Sequence, residues 1–239
     1  MRFATASITE AGPRTVNEDS IGIWNLPGGA VAVAVADGLG GMGGGDTASG
    51  IAIQLFGNAV TKEKSTQPNL SDLAKLIHSQ IRSTQAPGSS ESTMATTLTA
   101  AIFRNSTVAG VHCGDSRAAI ARENGILRLT KDHTEAQRLF DQGKLSKSEL
   151  INYPRQNILD SALGARKEPK IDVFDFDVHV GDKFFFTSDG MHEKVFLREM
   201  RAIAADFSEP SPFVEKMRAI VENRGAEDNF SLIAVFVQD

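Results

Sequence analysis

Two apolar runs in this chain each lead into Asp-Gly. Val31-Ala32-Val33-Ala34-Val35-Ala36 ends at Asp37-Gly38, and Phe184-Phe185-Phe186-Thr187-Ser188 ends at Asp189-Gly190. Two more acids stand at comparable edges. Asp115 follows the run from Val108 to Gly114, and Asp228 comes just before the closing run from Phe230 to Val237. An acid at the end of a buried strand is held rigidly, and no basic residue is adjacent to any of these four. If the strand ends meet, two carboxylates about 4 Å apart repel by roughly 4 kcal/mol at an effective dielectric near 20. Protons or hard cations must then neutralise the cluster, and an all-carboxylate set suits magnesium or manganese. Asp-Gly is also ordinary turn chemistry, because Asp caps turns and Gly supplies positive φ. For a single pair the turn reading is the stronger; the number of such ends raises the odds of a metal without deciding it.

Other chemistries fit less well. Gly38-Leu39-Gly40-Gly41-Met42-Gly43 matches G-x-G-x-x-G after a strand and before a helix. A dinucleotide fold would next require a β-strand with an acidic end, whereas the pattern predicts a second helix. The glycines instead let the backbone, including the Gly38 carbonyl, approach an ion closely. No P-loop Gly-Lys-Ser/Thr occurs. Cys113 lacks the arginine that a cysteine phosphatase loop carries six positions on, since residue 119 is Ala, so it reads as a small buried residue. Histidines 78, 112, 133, 179 and 192 form no helical i, i+4 pair and read as structural or solvated. No serine triad motif is present.

Composition narrows the classes further. The chain has 239 residues, 41% hydrophobic and 23% charged, as in a globule with a sizeable core. A net charge of -5 argues against non-specific binding to nucleic acid or anionic membranes. No apolar run approaches bilayer length, and the start Met1-Arg2-Phe3-Ala4-Thr5 lacks a signal-peptide core. One cysteine rules out an intramolecular disulfide and a cysteine-based zinc site. A cytoplasmic protein is the expectation.

The elements that must position the acids follow from pattern. Residues 3–9, 20–25 and 31–36 read as strands, the last two as an antiparallel hairpin around Pro27-Gly28-Gly29. Residues 46–61 read as a helix with Asp46 as N-cap, and 70–85 as a second, ended by Pro87-Gly88-Ser89-Ser90. Strands return at 95–103, 107–112, 117–122 and 126–129. Residues 134–165 are polar, with one or two short helices. Strands follow at 171–178 and 183–187, helices near 194–205 and at 211–223 (started by Pro212), and a last strand at 230–237. This order is no βαβ alternation. It predicts an α+β sandwich of antiparallel sheets with helices segregated outside.

An ordered set of motifs then resembles a known family. Gly12-Pro13-Arg14-Thr15-Val16-Asn17-Glu18-Asp19 is similar to its first motif, G-x-R-x-x-N-x-D. Ala36-Asp37-Gly38-Leu39-Gly40-Gly41 resembles the second, and Ala95-Thr96-Thr97 the small-Thr-Thr strand. Gly114-Asp115-Ser116-Arg117, Leu129-Thr130-Lys131-Asp132-His133-Thr134, Ala162-Leu163-Gly164, Thr187-Ser188-Asp189-Gly190 and Glu227-Asp228-Asn229 match the rest in order. The family is that of the metal-dependent serine/threonine protein phosphatases of the 2C type, in compact bacterial form. The resemblance spans nearly the whole chain.

The resemblance implies a four-layer αββα sandwich in one catalytic domain, residues 1–239, with a flap at about 134–165. It implies hydrolysis of phosphoserine and phosphothreonine by water activated between two Mn²⁺ or Mg²⁺ ions, with no covalent intermediate. Asp37 would bridge the ions, with the Gly38 carbonyl on one. Asp189 and Asp228 would hold the first ion, Asp19 and Glu18 the second, directly or through waters, and Asp115 a third, weaker one. Arg14 would grip the substrate phosphate; taken alone it reads sooner as a surface partner of Glu10 or Glu18. Partners would be phosphorylated proteins, in opposition to a serine/threonine kinase, with the enzyme a monomer. Two departures stand out. Many members carry His where this chain has Leu39, proposed there as general acid, and Glu10 stands where Asp is common. A non-catalytic phosphoprotein-binding pseudophosphatase is the competing class, but it would need a lost metal ligand. A dinucleotide-binding oxidoreductase is a third.

Overall fold

A computed structural model describes residues 1–40, 44–62, 68–85 and 94–239. The end of the Gly-rich stretch, 41–43, and the Pro87–Ser90 break lie outside the described residues. The elements in chain order are β1 (Arg2–Glu10), β2 (Asp19–Asn25), β3 (Val31–Leu39), α1 (Gly45–Lys62), α2 (Leu70–Thr84), β4 (Ala95–Thr96), β5 (Leu98–Arg104), β6 (Thr107–Cys113), β7 (Arg117–Arg122) and β8 (Gly125–Arg128). Then come α3 (Glu135–Asp141), α4 (Lys147–Ile151), β9 (Asp172–Asp177), β10 (Lys183–Thr187), α5 (Asp189–His192), α6 (Leu197–Ala204), α7 (Pro210–Asn223) and β11 (Phe230–Gln238).

The strands form two antiparallel sheets, β1-β11-β10-β7-β8 and β2-β3-β5-β6-β9, with β4 added to the end of β3. Alternation along each strand sets the layers, because successive side chains point to opposite faces. Val31, Val33 and Val35 face the space between the sheets, where they meet Phe103, Phe184, Phe186, Ile233 and Val235. Ala32, Ala34 and Ala36 face outward, where their small side chains admit Ala48, Ala52 and Phe56 of α1 and Ile77 and Ile81 of α2. On the far side Phe185, Leu232, Ala234 and Phe236 pack on Met200 of α6 and Phe213, Met217 and Val221 of α7. The result is the expected αββα order. Strands β3, β5 and β11 are apolar on both faces because each is covered twice.

Several boundaries differ from expectation for local reasons. Strand β3 runs past Asp37 to Leu39, because Gly38 and Leu39 pair with Thr96 and Ala95. The expected strand 95–103 is interrupted at Thr97, whose N–H donates to the Asp37 carbonyl (2.8 Å) and whose Oγ1 accepts from the Asp37 N–H (2.9 Å). Helix α1 starts at Gly45, so Asp46 is not its N-cap; it sits in the first turn, where its charge still favours the helix N-terminus. Helix α7 starts at Pro210 rather than Pro212; Pro210 needs no N–H partner there, and its φ is preset for a helix. The single turn α5 was unforeseen, and the following helix α6 starts only at Leu197.

Candidate metal centre

The topology gathers the acids at one end of the sandwich. Asp19 opens β2 and stands directly across from Asp37 near the end of β3. Asp115 lies in the β6–β7 turn, Asp189 begins α5 straight after β10, and Asp228 precedes β11. Strands β7, β10 and β11 are successive neighbours in one sheet, so their loaded ends are adjacent.

The support beneath each acid is explicit. Asp37 is pinned through its backbone: Thr97 brackets both its amide and carbonyl, and Thr96 Oγ1 adds a 2.9 Å bond to the same carbonyl. Thr97 Oγ1 is in turn 2.7 Å from Ser116 Oγ, which ties the Asp37 end of β3 to the Asp115 turn. Asp19 is buried, and its Oδ2 accepts from Ser188 Oγ and Ser231 Oγ, each at 2.6 Å. Asn229 Oδ1 accepts from the Glu18 N–H at 2.8 Å, while its amide donates to the carbonyls of Ala11 (2.8 Å) and Val16 (3.1 Å). Gly38 must be glycine: a Cβ there would come within 2.2 Å of the Gly45 carbonyl oxygen at the start of α1. The Gly190 position is as tight, with a Cβ 2.1 Å from the Asn229 carbonyl oxygen.

The electrostatics are those of carboxylates sharing too little compensating charge. Burial pushes Asp37 well above the ordinary carboxylate range, and Asp189, Asp19 and Asp115 push it further. Burial raises Asp115 to about 8, with Asp189 and Asp132 adding to it. Burial raises Asp19 to about 6 against the opposing hydroxyls of Ser188 and Ser231. Asp189 is raised by burial and then by Asp228, and Glu18 by burial, with Asp46 and Asp228 contributing. Asp37 and Asp189 are close enough to share a hydrogen bond. Such a cluster keeps protons until a cation replaces them. Among the described residues no trio of acid, histidine or cysteine side chains already stands at coordination spacing. The donor set nonetheless suits a hard divalent cation: it is all oxygen, anionic, and rigidly mounted.

Arg14 is found on neither of its two expected surface partners. Its Nη2 donates to Asp228 Oδ2 at 2.8 Å, while Glu10 pairs with Arg218 of α7 at 3.3 Å. The other singled-out groups are structural. Cys113 is buried, its thiol pushed up to about 12 by burial. His78 accepts from the Gly164 N–H at 3.0 Å, and the His112 ring packs against that of His133 at a tilt of 51°, with centroids 4.7 Å apart.

Beside the acids lies a cavity of about 560 Å³. Asp115 and Asp189 form part of its lining, and residues from α3 and α4 form one side. Arg117 lines it too and binds Asp132 through two bonds of 3.2 and 2.8 Å, an ion pair whose two halves lie in separate motifs. The supporting Ser188, Ser231, Thr97 and Asn229 carried no signal as ligands. Ser188 and Asn229 adjoin the motif acids Asp189 and Asp228 and Thr97 belongs to the small-Thr-Thr motif, whereas Ser231 lies outside the motifs.

The family model for protein phosphatase 2C matches residues 12–234. A serine/threonine phosphatase, Stp, of Listeria welshimeri is 31% identical over 92% of this chain and 89% of its own length. The fold is that of the S. agalactiae serine/threonine phosphatase, with a TM-score of 0.89, 22% identity, and coverage of 99% of this chain and 100% of that one. The catalytic domain of the phosphatase PstP, solved in complex with two manganese ions, is 26% identical with a TM-score of 0.81, covering 99% of both chains.

Proposed function

The chain belongs to the protein phosphatase 2C family, whose curated relatives are serine/threonine protein phosphatases, and on that premise we propose that it hydrolyses phosphoserine and phosphothreonine in proteins. The observation that carries this is the meeting of Asp19, Asp37, Asp115, Asp189 and Asp228 from five separate chain segments at one end of the sandwich. Asp37 would serve both of two Mn²⁺ or Mg²⁺ ions and the Gly38 carbonyl one of them, with Asp189 and Asp228 on the first and Asp19 and Glu18 on the second, directly or through waters. Asp115 would hold a third, weaker ion. When bound, the ions supply a water acidic enough to act as nucleophile on phosphorus and neutralise charge on the phosphoryl oxygens.

The protein groups do the rest. Thr96, Thr97, Ser188 and Ser231 fix the acids so that little reorganisation is needed on reaction. Arg14 offers a permanently charged planar fork that suits phosphate oxygens. A substrate phosphate would compete with Asp228 for it. With water as the nucleophile no side chain need bond to phosphorus, and no phosphoenzyme would form.

Residues 1–239 are read as one catalytic domain, with 134–165 as the flap beside the cleft. Among the described residues no helix is long and apolar enough to cross a membrane. A cytoplasmic monomer that opposes a serine/threonine kinase is the reading adopted, with neither nucleic acid nor membrane as partner, in line with a net charge of -5. The test is phosphate release from a phosphothreonine peptide with Mn²⁺, with and without chelator. Release with Mn²⁺ and none after verified metal removal is expected. Undiminished turnover by the metal-free protein overturns the mechanism.

A further inference from the structure

We propose that the cavity beside the acids receives the residues that flank the phosphorylated side chain, and that it selects a large apolar neighbour over an acidic one. The inference rests on the phosphoprotein phosphatase reading and names the substrate class for that site.

Position comes first. Consecutive Cα atoms are about 3.8 Å apart, so the neighbours of a phosphothreonine held at the acids must lie within a few ångströms of them. Asp115 and Asp189 are part of the cavity's lining, so the cavity reaches the acids. Chain on either side of the phosphoresidue has this space directly before it.

The walls then set the preference. Leu150 and Ile151 of α4 line one side, and Phe196, at the start of α6, lines the cavity from the opposite segment of chain. Ile151 is 65% exposed and Phe196 72% exposed. Large apolar side chains left open on a cavity rim mark a binding surface more than a fold requirement. A flanking Leu or Phe would cover them.

The cations of the lining do not favour an acidic neighbour. Arg117 and Arg128 both hold Asp132, Arg128 at 3.3 Å. Lys194 holds Glu227 at 2.9 Å. Besides Asp115 and Asp189, the three cations of the lining, Arg117, Arg128 and Lys194, are thus balanced by three acids, Asp132, Glu227 and Glu193. Glu193, also in the lining, is exposed and accepts from the Asn157 amide at 3.2 Å. An acidic or second phosphorylated residue placed here would find no net positive charge among these side chains to offset its repulsion by Glu193 and Glu227.

Two phosphothreonine peptides, identical except for Leu or Asp on both sides of the phosphothreonine, test this with the Mn²⁺-loaded full chain. The Leu peptide is expected to have a kcat/KM about tenfold or more above the Asp peptide, the scale on which small apolar contacts discriminate. In Phe196→Ser and Ile151→Ser the Leu/Asp ratio should fall severalfold. Because both peptides are read in one preparation, the ratio cancels any loss of folded or metal-loaded enzyme. A wild-type ratio near one, a preference for Asp, or a full ratio retained in both variants overturns the subsite. Nitrophenyl phosphate separates the two failures. Its hydrolysis without release from either peptide overturns the phosphoprotein reading and the subsite with it, whereas equal release from both peptides removes the subsite alone.

Discussion

Arg14 Nη2 donates to Asp228 Oδ2 at 2.8 Å, so the residue expected to grip phosphate is joined to one expected to hold metal. The two side chains keep 57% and 44% of their exposure. An exposed pair of this kind contributes about 0–1 kcal/mol to the fold. Arg14→Ala should therefore fold normally, raise KM for a phosphopeptide and lower kcat/KM. A charged hydrogen bond lost from the bound phosphate costs about 1.5–3 kcal/mol, or roughly 10–150-fold. Steady-state kinetics on the variant decide it, and an unchanged kcat/KM would return Arg14 to the role of a surface ion pair.

Asp37 and Asp115 should respond differently. Asp37→Asn removes the central charge of the cluster while keeping the side chain's shape, and it relieves repulsion with Asp189, Asp19 and Asp115. Turnover should vanish, while the metal-free melting temperature should hold or rise. Near-normal turnover would reject Asp37 as a bridging ligand. Asp115→Ala should leave two tight Mn²⁺ sites in a calorimetric titration yet lower turnover. Loss of a tight site in that titration would move Asp115 from the third ion to one of the first two.

What the sequence made legible was local. A run of Val and Ala into Asp37-Gly38, or of Phe into Ser188-Asp189-Gly190, signals strand, end and acid within a few residues. The alternation that lets Val33 face the inter-sheet core and Ala34 face α1 is equally local. What stayed hidden depends on pairing across the chain. Ser188 and Ser231 clamp Asp19 across separations of 169 and 212 residues, and Arg14 finds Asp228 across 214. The extension of β3 to Leu39 needed a partner, β4, placed far away in sequence. The turn α5 is only four residues long, too short for any helical period to register.

The shifted acids also make a pH prediction for the metal-free protein. Asp19 and Asp115 titrate at about 6 and about 8 in the fold, against about 3.9 for an unfolded Asp. The folded state thus binds more protons, and this contribution to stability is lost as pH rises through those values. Buried His112, His133 and His192 act in the opposite sense. Burial lowers them, His112 to about 3, so the unfolded state gains protons below about 6.5 and stability falls as pH drops through that value. Above about pH 7.5 the histidines are neutral in both states, and the carboxylate effect remains. The metal-free melting temperature should fall between pH 7.5 and 8.5, and added Mn²⁺ should raise it more at pH 8.5 than at 7.5. A metal-free melting temperature that climbs from pH 7.5 to 8.5 would contradict the carboxylate assignment.

The last prediction concerns the proton for the leaving group. A serine or threonine alkoxide leaves poorly and benefits from a proton, whereas nitrophenolate needs none. Leu39 offers no donor at the position beside Asp37-Gly38. His133 is committed elsewhere: its Nδ1 accepts from the Gly114 N–H at 3.2 Å, which leaves the proton on Nε2, 2.9 Å from Asp172. His192 lines the cavity, but it is buried, its Nδ1 is 3.1 Å from Thr187 Oγ1, and burial and then Arg117 hold it far below its ordinary range. A ring kept neutral at pH 7 is a poor general acid. Solvent in the cleft is therefore left as the donor. His133→Ala and His192→Ala should each keep phosphothreonine-peptide turnover, relative to nitrophenyl phosphate in the same preparation, within about tenfold of wild type. General acid catalysis is typically worth roughly 10²–10⁴-fold. A loss of about a hundredfold on the peptide alone, with nitrophenyl phosphate spared, would identify that histidine as the acid and exclude solvent from the role.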